Sequence, residues 1–357
     1  MSSQVNCGGV LIGGGAPITI QSMTNTDTRD IKATVGQIKN LEAAGCDIVR
    51  LAIPDMDAAD AFGQIKKLVR VPLVADIHFD YRLAIAGIKN GADKVRINPG
   101  NIGDKDRVKA VIDADKERDI PIRIGVNSGS LEKDILQKYQ GVTPEGMVES
   151  ALRNIRILED MDFPHIVVSL KSSDVRLNYK AHLLIFEKMG YPLHIGITEA
   201  GTIDSGKVKS AIGIGSLLLA GIGDTIRVSL TGDPVNEVNF ASDLLKALAL
   251  RKNSINFISC PTCGRCSVDL TKITAEIEAA LRPIENSMKE MSLPSVTVAV
   301  MGCEVNGPGE ARSADLGVAC GKGKGLIFRK GEIIKAVKEE DIAIELIKYI
   351  KQEQSLV

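Results

Sequence analysis

Tryptophan is absent from the 357-residue chain, and seven Phe and five Tyr supply nearly all of its aromatic character, so the core must be built from aliphatic side chains. An excess of one charge is lacking as well: 44 Lys and Arg stand against 45 Asp and Glu, a net charge of −1. General nucleic-acid binding needs a cationic surplus to displace counterions, and this balance excludes it. No apolar run reaches the roughly 20 residues of a membrane span, the stretch Ser210–Gly223 included. Residues 1–26 carry no charged side chain, yet they have no basic start. Gly8, Gly9, Gly13, Gly14, Gly15 and Pro17 interrupt any apolar segment there, so a secretory leader is not expected. Cysteine is scarce and odd in number, seven in all, which does not suit a disulfide framework in a chain of this length. Its crowding late in the chain points instead to metal chemistry in a reducing cytoplasm. At 44% hydrophobic and 25% charged residues, the remainder is that of an ordered soluble globule.

Eight Val-, Ile- and Leu-rich runs precede residue 235: 17–23, 48–53, 72–77, 94–98, 120–126, 165–171, 193–198 and 225–230. Helical patterns separate them. Ile31, Val35, Ile38 and Leu41 share one helix face, Asp30 suits an N-cap, and Gly45 stands past the end. Thr143-Pro144-Glu145 opens another helix with a capping residue and a proline at its first position. Eight βα units in roughly 235 residues predict a (β/α)8 barrel, with a doubly wound open sheet as the competing arrangement. Gly45-Cys46-Asp47 and Gly91-Ala92-Asp93 each lead into a strand with Arg three residues after the Asp, and Gly223-Asp224 repeats the scheme. The pattern changes after Pro234. The expected organisation is a barrel over 1–236, a connecting helix and linker over 237–252, and a small α+β domain over 253–357.

Arg50, Arg96, Arg123 and Arg227 lie inside four different strand runs, and Lys171 ends a fifth. Neither the lumen nor the helix layer of a barrel tolerates an unpaired charge. If these side chains face the lumen near the strands' C-terminal ends, they converge on the mouth where barrel enzymes hold their ligands. Guanidinium forks suit phosphate. The competing explanation is internal ion pairing to Asp76, Glu199 or Asp233, which accounts for two or three of the five charges. Asp76, His78, Asn127, Ser128, Ser172, Ser173, Glu199 and Ser229 fall in the same layer and can supply hydrogen bonds or acid–base groups. Gly213-Ile214-Gly215 follows no strand, so it lacks the context of a dinucleotide-binding turn.

Cys260-Pro261-Thr262-Cys263-Gly264-Arg265-Cys266 places thiols three residues apart, a spacing that lets a turn bring two sulfurs to one metal or cluster edge. Cys303 follows a strand and opens a Gly-Pro-Gly segment that ends at Glu310. Spacing leaves three readings open: an iron–sulfur cluster on three thiolates and a carboxylate, zinc on four Cys with Cys266 or Cys320 completing the set, or structural thiols.

Several segments resemble the 4-hydroxy-3-methylbut-2-enyl diphosphate synthase family in its two-domain bacterial form: Gln21–Thr24, Ala75–Phe79, Val95–Gly100, Arg123–Gly129, Ile197–Gly201, Ser259–Cys263 and Gly302–Glu310. The resemblance runs in order along essentially the whole chain. It implies a barrel followed by an iron–sulfur domain, acting in the non-mevalonate route to isoprenoids. The implied reaction is reductive ring opening and dehydroxylation of 2-C-methyl-D-erythritol 2,4-cyclodiphosphate. It also implies a 4Fe-4S cluster on Cys260, Cys263, Cys303 and Glu310, with Cys266 a bystander and Asn306 beside the cluster. Substrate contacts are implied at Arg50, Arg96, Arg123, Asn127, Lys171 and Ser229, to which the strand pattern adds Asp76 and Arg227. His78 and Glu199 match active-site positions, Glu199 as the candidate for positioning or protonating the leaving hydroxyl. Flavodoxin or ferredoxin is the implied electron donor, and a head-to-tail homodimer the implied assembly. A non-redox barrel synthase with a zinc appendage and an iron–sulfur metabolite sensor are the rival functions.

Overall fold

Asp47, Asp93 and Asp224 each turn a carboxylate onto the start of a neighbouring strand. Oδ2 of Asp47 accepts the Ile20 N–H at 2.7 Å, Oδ2 of Asp93 the Leu73 N–H at 2.7 Å, and Oδ2 of Asp224 the Leu193 N–H at 2.8 Å. The helix-stop glycines before them, Gly45, Gly91 and Gly223, have φ of 93°, 97° and 123°, where a Cβ would be strained. The aspartate therefore anchors the lower end of its strand, and the arginine three residues on is carried about 10 Å toward the other end. That is the physical content of the repeated Asp-x-x-Arg scheme.

The computed structural model describes residues 2–303 and 311–356, the Lys289 side chain apart. Two units make up the chain, Met1–Leu248 and Ala249–Val357. In the first, a hairpin of β1 (Gln4–Cys7) and β2 (Val10–Gly13) precedes eight parallel strands. These are β3 (Thr19–Met23), β4 (Ile48–Ala52), β5 (Leu73–Asp76), β6 (Lys94–Ile97), β7 (Ile122–Asn127), β8 (Ile166–Lys171), β9 (His194–Ile195) and β10 (Thr225–Ile226). They pair in the order β8-β7-β6-β5-β4-β3-β10-β9, and a parallel bridge from Val168 to Leu193 links the two ends of the sheet. This is the expected barrel, with helices between its strands. The last two strands are shorter than their apolar runs. The Arg227 N–H still donates to the Ile195 carbonyl at 3.0 Å, and beyond it the regular ladder ends; Thr198, Arg227 and Ser229 line a cavity.

The hairpin was not foreseen, because its glycines read as breakers; Gly8 and Gly9, with φ of 57° and 94°, are its turn. Val5, Cys7 and Ile12 pack on Ile48, Val74 and Val167, so the hairpin plugs the barrel at the N-terminal ends of its strands. The helix expected to connect the domains is Pro234–Ala247 and belongs to the barrel unit. Its N-cap Asp233 accepts the Val235 N–H, and Val238, Ala241 and Leu245 join the main core, so amphipathic packing, rather than tethering, holds it.

The second unit carries β11 (Ile255–Ser259), β12 (Val296–Met301), β13 (Leu316–Gly321), β14 (Lys324–Arg329) and β15 (Glu332–Lys338) in one sheet of that order. β11, β12 and β13 are parallel, while β13-β14-β15 is antiparallel with its first turn at Gly323, φ 69°. Helices Leu270–Glu290 and Ile342–Glu353 pack Ile277, Leu281, Leu346 and Ile350 against it. Among the described residues no helix is long and apolar enough to cross a membrane.

Candidate active site

Parallel strands deliver their C-terminal residues to one rim, and here that rim is cationic. Arg50, Asp76, His78, Arg96, Arg123, Gly125, Asn127, Ser169, Lys171, Thr198, Arg227 and Ser229 line a cavity of about 110 Å³. The four arginines, Lys171, Asp76, His78, Asn127 and Ser229 expected there line it, whereas Glu199, Ser128, Ser172 and Ser173 do not. Five cations (Arg50, Arg96, Arg123, Lys171, Arg227) share the wall with one carboxylate, Asp76.

Asp76 is the hub. Its Oδ2 lies 3.8 Å from Arg50 Nε and 3.6 Å from His78 Nε2, and its Oδ1 3.5 Å from Arg96 Nη1. Burial works against ionisation of Asp76, but Arg50, His78, Arg96 and Arg123 outweigh it and hold the carboxyl well below its usual range. Arg96 Nη1 is also 3.2 Å from the ring nitrogens of His78, whose side chain is 58% exposed at the rim. Gly125 permits this packing, since a Cβ there would lie 2.8 Å from Arg96 Nε.

The remaining cations exceed what Asp76 can balance. Arg123 is buried, and burial, then Arg50 and Arg96, depress its guanidinium. A guanidinium keeps its proton inside proteins, so Arg123 stays a buried cation that also faces Arg50 and Arg96, and a bound anion would relieve both the burial and the repulsion. Burial first, then Arg50, takes Arg227 down to about 10. Nε of Arg96, of Arg123 and of Arg227 has no hydrogen-bond acceptor among the described residues. Surplus positive charge and unused donors in a narrow polar cavity are the attributes of an oxyanion site.

Two functional side chains escape the sequence patterns. Glu237, on the helix read as a connector, lies behind Arg227 at 3.8 Å and accepts the Leu230 N–H at 2.9 Å and the Ser22 hydroxyl at 3.2 Å. His194, at the first residue of β9 rather than at its C-terminal end, lies with Nε2 3.1 Å from Lys171 Nζ. Neither of the other acids weighed as partners for the arginines reaches them: Asp233 caps its helix, and Glu199 is exposed in a loop at φ 51° and does not line the cavity.

In the second unit, parallel pairing of β11 with β12 brings Cys260, just past the end of β11, beside Gly302, just past the end of β12, and Cys303 follows Gly302 in the chain. The Gly302 N–H donates to Cys260 Sγ at 3.2 Å. A Cβ on Gly302 would lie 2.6 Å from Cys266 Sγ, so Cys266 belongs to the same thiol group. Cys263 is exposed, and the Arg265 backbone N–H lowers its thiol. Burial pushes Cys320 up to about 12, a core thiol rather than a ligand. Among the described residues no three His, Cys, Asp or Glu side chains converge on a metal position. Glu310 and Asn306 lie outside the described residues. In donor chemistry the group suits an iron–sulfur cluster: soft sulfur ligands, one already receiving a backbone N–H.

Family models of the GcpE TIM-barrel domain and the GcpE protein C-terminal domain match residues 2–242 and 256–352. A Clostridium acetobutylicum 4-hydroxy-3-methylbut-2-en-1-yl diphosphate synthase (flavodoxin) is 59% identical over 97% of this chain and 97% of its own. The enzymes of that name from Caldanaerobacter subterraneus and Clostridium perfringens are each 57% identical, over 99% and 98% of this chain and 97% of their own. This chain belongs to the 4-hydroxy-3-methylbut-2-en-1-yl diphosphate synthase family. The expected family and its two-part fold are thereby established, and neither rival function finds support. Within this synthase fold, the cationic cavity falls in the barrel segment and the thiol group in the C-terminal segment.

Proposed function

We propose that the barrel mouth binds 2-C-methyl-D-erythritol 2,4-cyclodiphosphate and that the chain reduces it to 4-hydroxy-3-methylbut-2-enyl diphosphate. The supporting observation is the imbalance of five cations against one carboxylate in the cavity wall, with guanidinium donors left unused. Arg50, Arg96, Arg123, Lys171 and Arg227 neutralise the two phosphate groups, and Asn127 and Ser229 add neutral hydrogen bonds. Asp76 orients Arg50, Arg96 and His78 rather than touching an anion, because a carboxylate repels phosphate. His78, half in solvent beside Asp76, is the group placed to hand a proton to the departing oxygen. Glu199, exposed outside the cavity, is the candidate for positioning the leaving hydroxyl.

Ring opening breaks one carbon–oxygen bond to phosphate, and the hydroxyl leaves as water; two electrons and two protons balance the change. Cys260, Cys263, Cys303 and Glu310 would hold a 4Fe-4S cluster, with Asn306 next to it and Cys266 close by but not a ligand. Such a cluster supplies single electrons, received from a flavodoxin or ferredoxin. The cationic cavity and the thiol group belong to different units, in keeping with a head-to-tail homodimer that completes each site with the partner's cluster motif.

Titration of the cyclodiphosphate into Arg96→Ala and Arg123→Ala tests the binding assignment. Each loses charge-assisted hydrogen bonds worth about 1.5–3 kcal/mol, so affinity should fall about ten- to a hundredfold. Unchanged affinity in both would move the substrate elsewhere.

A further inference from the structure

Lys171 leaves the end of β8 and lines the cationic cavity, while His194 sits in β9 and does not. The two meet below the cavity floor, Nζ to Nε2 at 3.1 Å, and His194 has no exposure at all. Nδ1 of His194 finds no partner among the described residues, so the contact with Lys171 is the ring's one polar bond. Gly196 keeps the approach open: a Cβ there would lie 3.0 Å from Lys171 Nζ and would collide with the Arg227 carbonyl oxygen. A buried imidazole with a single polar contact, facing a lysine through a gap that only glycine leaves, is a built arrangement.

We propose that His194 is a positioning residue for the anion site, its Nε2 accepting one N–H of the Lys171 ammonium so that the others point into the cavity. The proposal rests on the assignment of the cavity to the diphosphate. A neutral imidazole with its proton on Nδ1 offers a lone pair at Nε2, and the hydrogen bond fixes the otherwise free torsions of a four-carbon stem. The bond also acts on charge. Lys171 faces Arg123 of β7, Arg227 beyond β10, Arg50 of β4 and, from the helix side, Glu237. Burial first, then the three arginines, drive its amine well below the usual lysine range, with Glu237 opposing. His194 faces Lys171, Arg123, Lys94 and Arg50, and burial with these cations keeps its ring neutral. An acceptor that carries no positive charge is what a crowded ammonium needs to stay protonated, and a carboxylate in that place would cancel the charge the anion requires.

The test uses the cluster-loaded enzyme and reads KM for the cyclodiphosphate together with the pH profile of kcat/KM. His194→Leu and His194→Met remove the acceptor; Met fills the space should Leu not fold. His194→Gln puts an amide oxygen near the position of Nε2. In the Leu or Met variant KM should rise about tenfold, kcat should change little, and the alkaline limb of kcat/KM should move to lower pH. The Gln variant should restore both. KM and alkaline limb unchanged in the Leu or Met variant, while Lys171→Met raises KM, would overturn the role of His194 and leave the cavity assignment standing. A Gln variant as impaired as Leu would reduce the ring to packing and equally overturn it. Lys171→Met binding the cyclodiphosphate normally would overturn the cavity assignment itself.

Discussion

Oε2 of Glu237 stands 3.8 Å from Nε of Arg227, so a helix outside the barrel supplies the counter-charge for an arginine inside it. Burial raises the Glu237 carboxyl, and Arg227 first among the opposing groups draws it back. Glu237→Gln keeps the shape but leaves Arg227 unbalanced. Unfolding stability should drop by about 1–3 kcal/mol, read as a lower Tm in thermal unfolding. Saturating cyclodiphosphate should recover more stability in the variant than in the parent, because the anion takes over the missing charge. Equal ligand-induced shifts would contradict that.

Lys94 gives a pH signature. Its Nζ is fully buried near Cys7 with no hydrogen-bond partner among the described residues. Burial first, then Arg123 and Arg50, bring its amine down to about 8, with Cys7 opposing. Below that pH the folded protein holds an unfavourable charge that the unfolded chain carries freely. Between about 8 and 10.4 the unfolded state binds more protons, so this cost fades as pH rises. Lys94→Met should therefore be more stable than the parent at pH 7 by about 3 kcal/mol. The gap should close by about pH 10, near the free lysine value. Urea unfolding of both proteins at the two pH values measures it, and a gap independent of pH would rule out Lys94 as the source.

Gly125 makes the geometry of the mouth testable without removing a charge. Gly125→Ala drives a methyl group to within 2.8 Å of Arg96 Nε and must displace the guanidinium. Cyclodiphosphate affinity should fall about tenfold while urea unfolding changes little. Parent-like affinity would mean that Arg96 is free to move and is not held for the ligand.

In the second unit the variants separate ligand from neighbour. Cys303→Ser should lose most of the cluster colour after anaerobic reconstitution, and Glu310→Ala should keep the cluster on three thiolates but lose turnover. Cys266→Ser should retain both, although its sulfur touches Gly302. Colourless Cys266→Ser protein would make it a ligand.

Much of this was legible along the chain because the barrel places charge by arithmetic. An aspartate hydrogen-bonds to the neighbouring strand, and three residues later an arginine reaches the mouth, so Arg50, Arg96 and Arg227 could be read from the repeat. Glu237 could not, because its helix has an ordinary amphipathic pattern and only tertiary packing turns that residue to Arg227. His194 was hidden for a different reason: it opens its strand, away from the C-terminal rim, and only the closure of β8 on β9 brings it to Lys171. Glu199 stands in a matching motif whose backbone, at φ 51°, holds its side chain in solvent, so its place was legible from the resemblance and its partners were not. The N-terminal hairpin has no distinct signature in the sequence, because glycines that break an apolar segment also make tight turns.

The proposed head-to-tail dimer can be probed by mixing Arg123→Ala with Cys263→Ser, each expected to be inactive alone, after dissociation and reassociation. Random pairing in a two-fold dimer gives half heterodimers with one intact site of two, so about a quarter of full activity should return. No recovery, with exchange shown by mass labelling, would place each site within one chain.

Anaerobic turnover of the cyclodiphosphate by the reconstituted protein with reduced flavodoxin tests the central claim most directly. The expected result is stoichiometric 4-hydroxy-3-methylbut-2-enyl diphosphate, two electrons consumed per product, and its loss in Arg123→Ala at low substrate concentration. A fully reconstituted, reduced protein that leaves the cyclodiphosphate intact would contradict the reductive function.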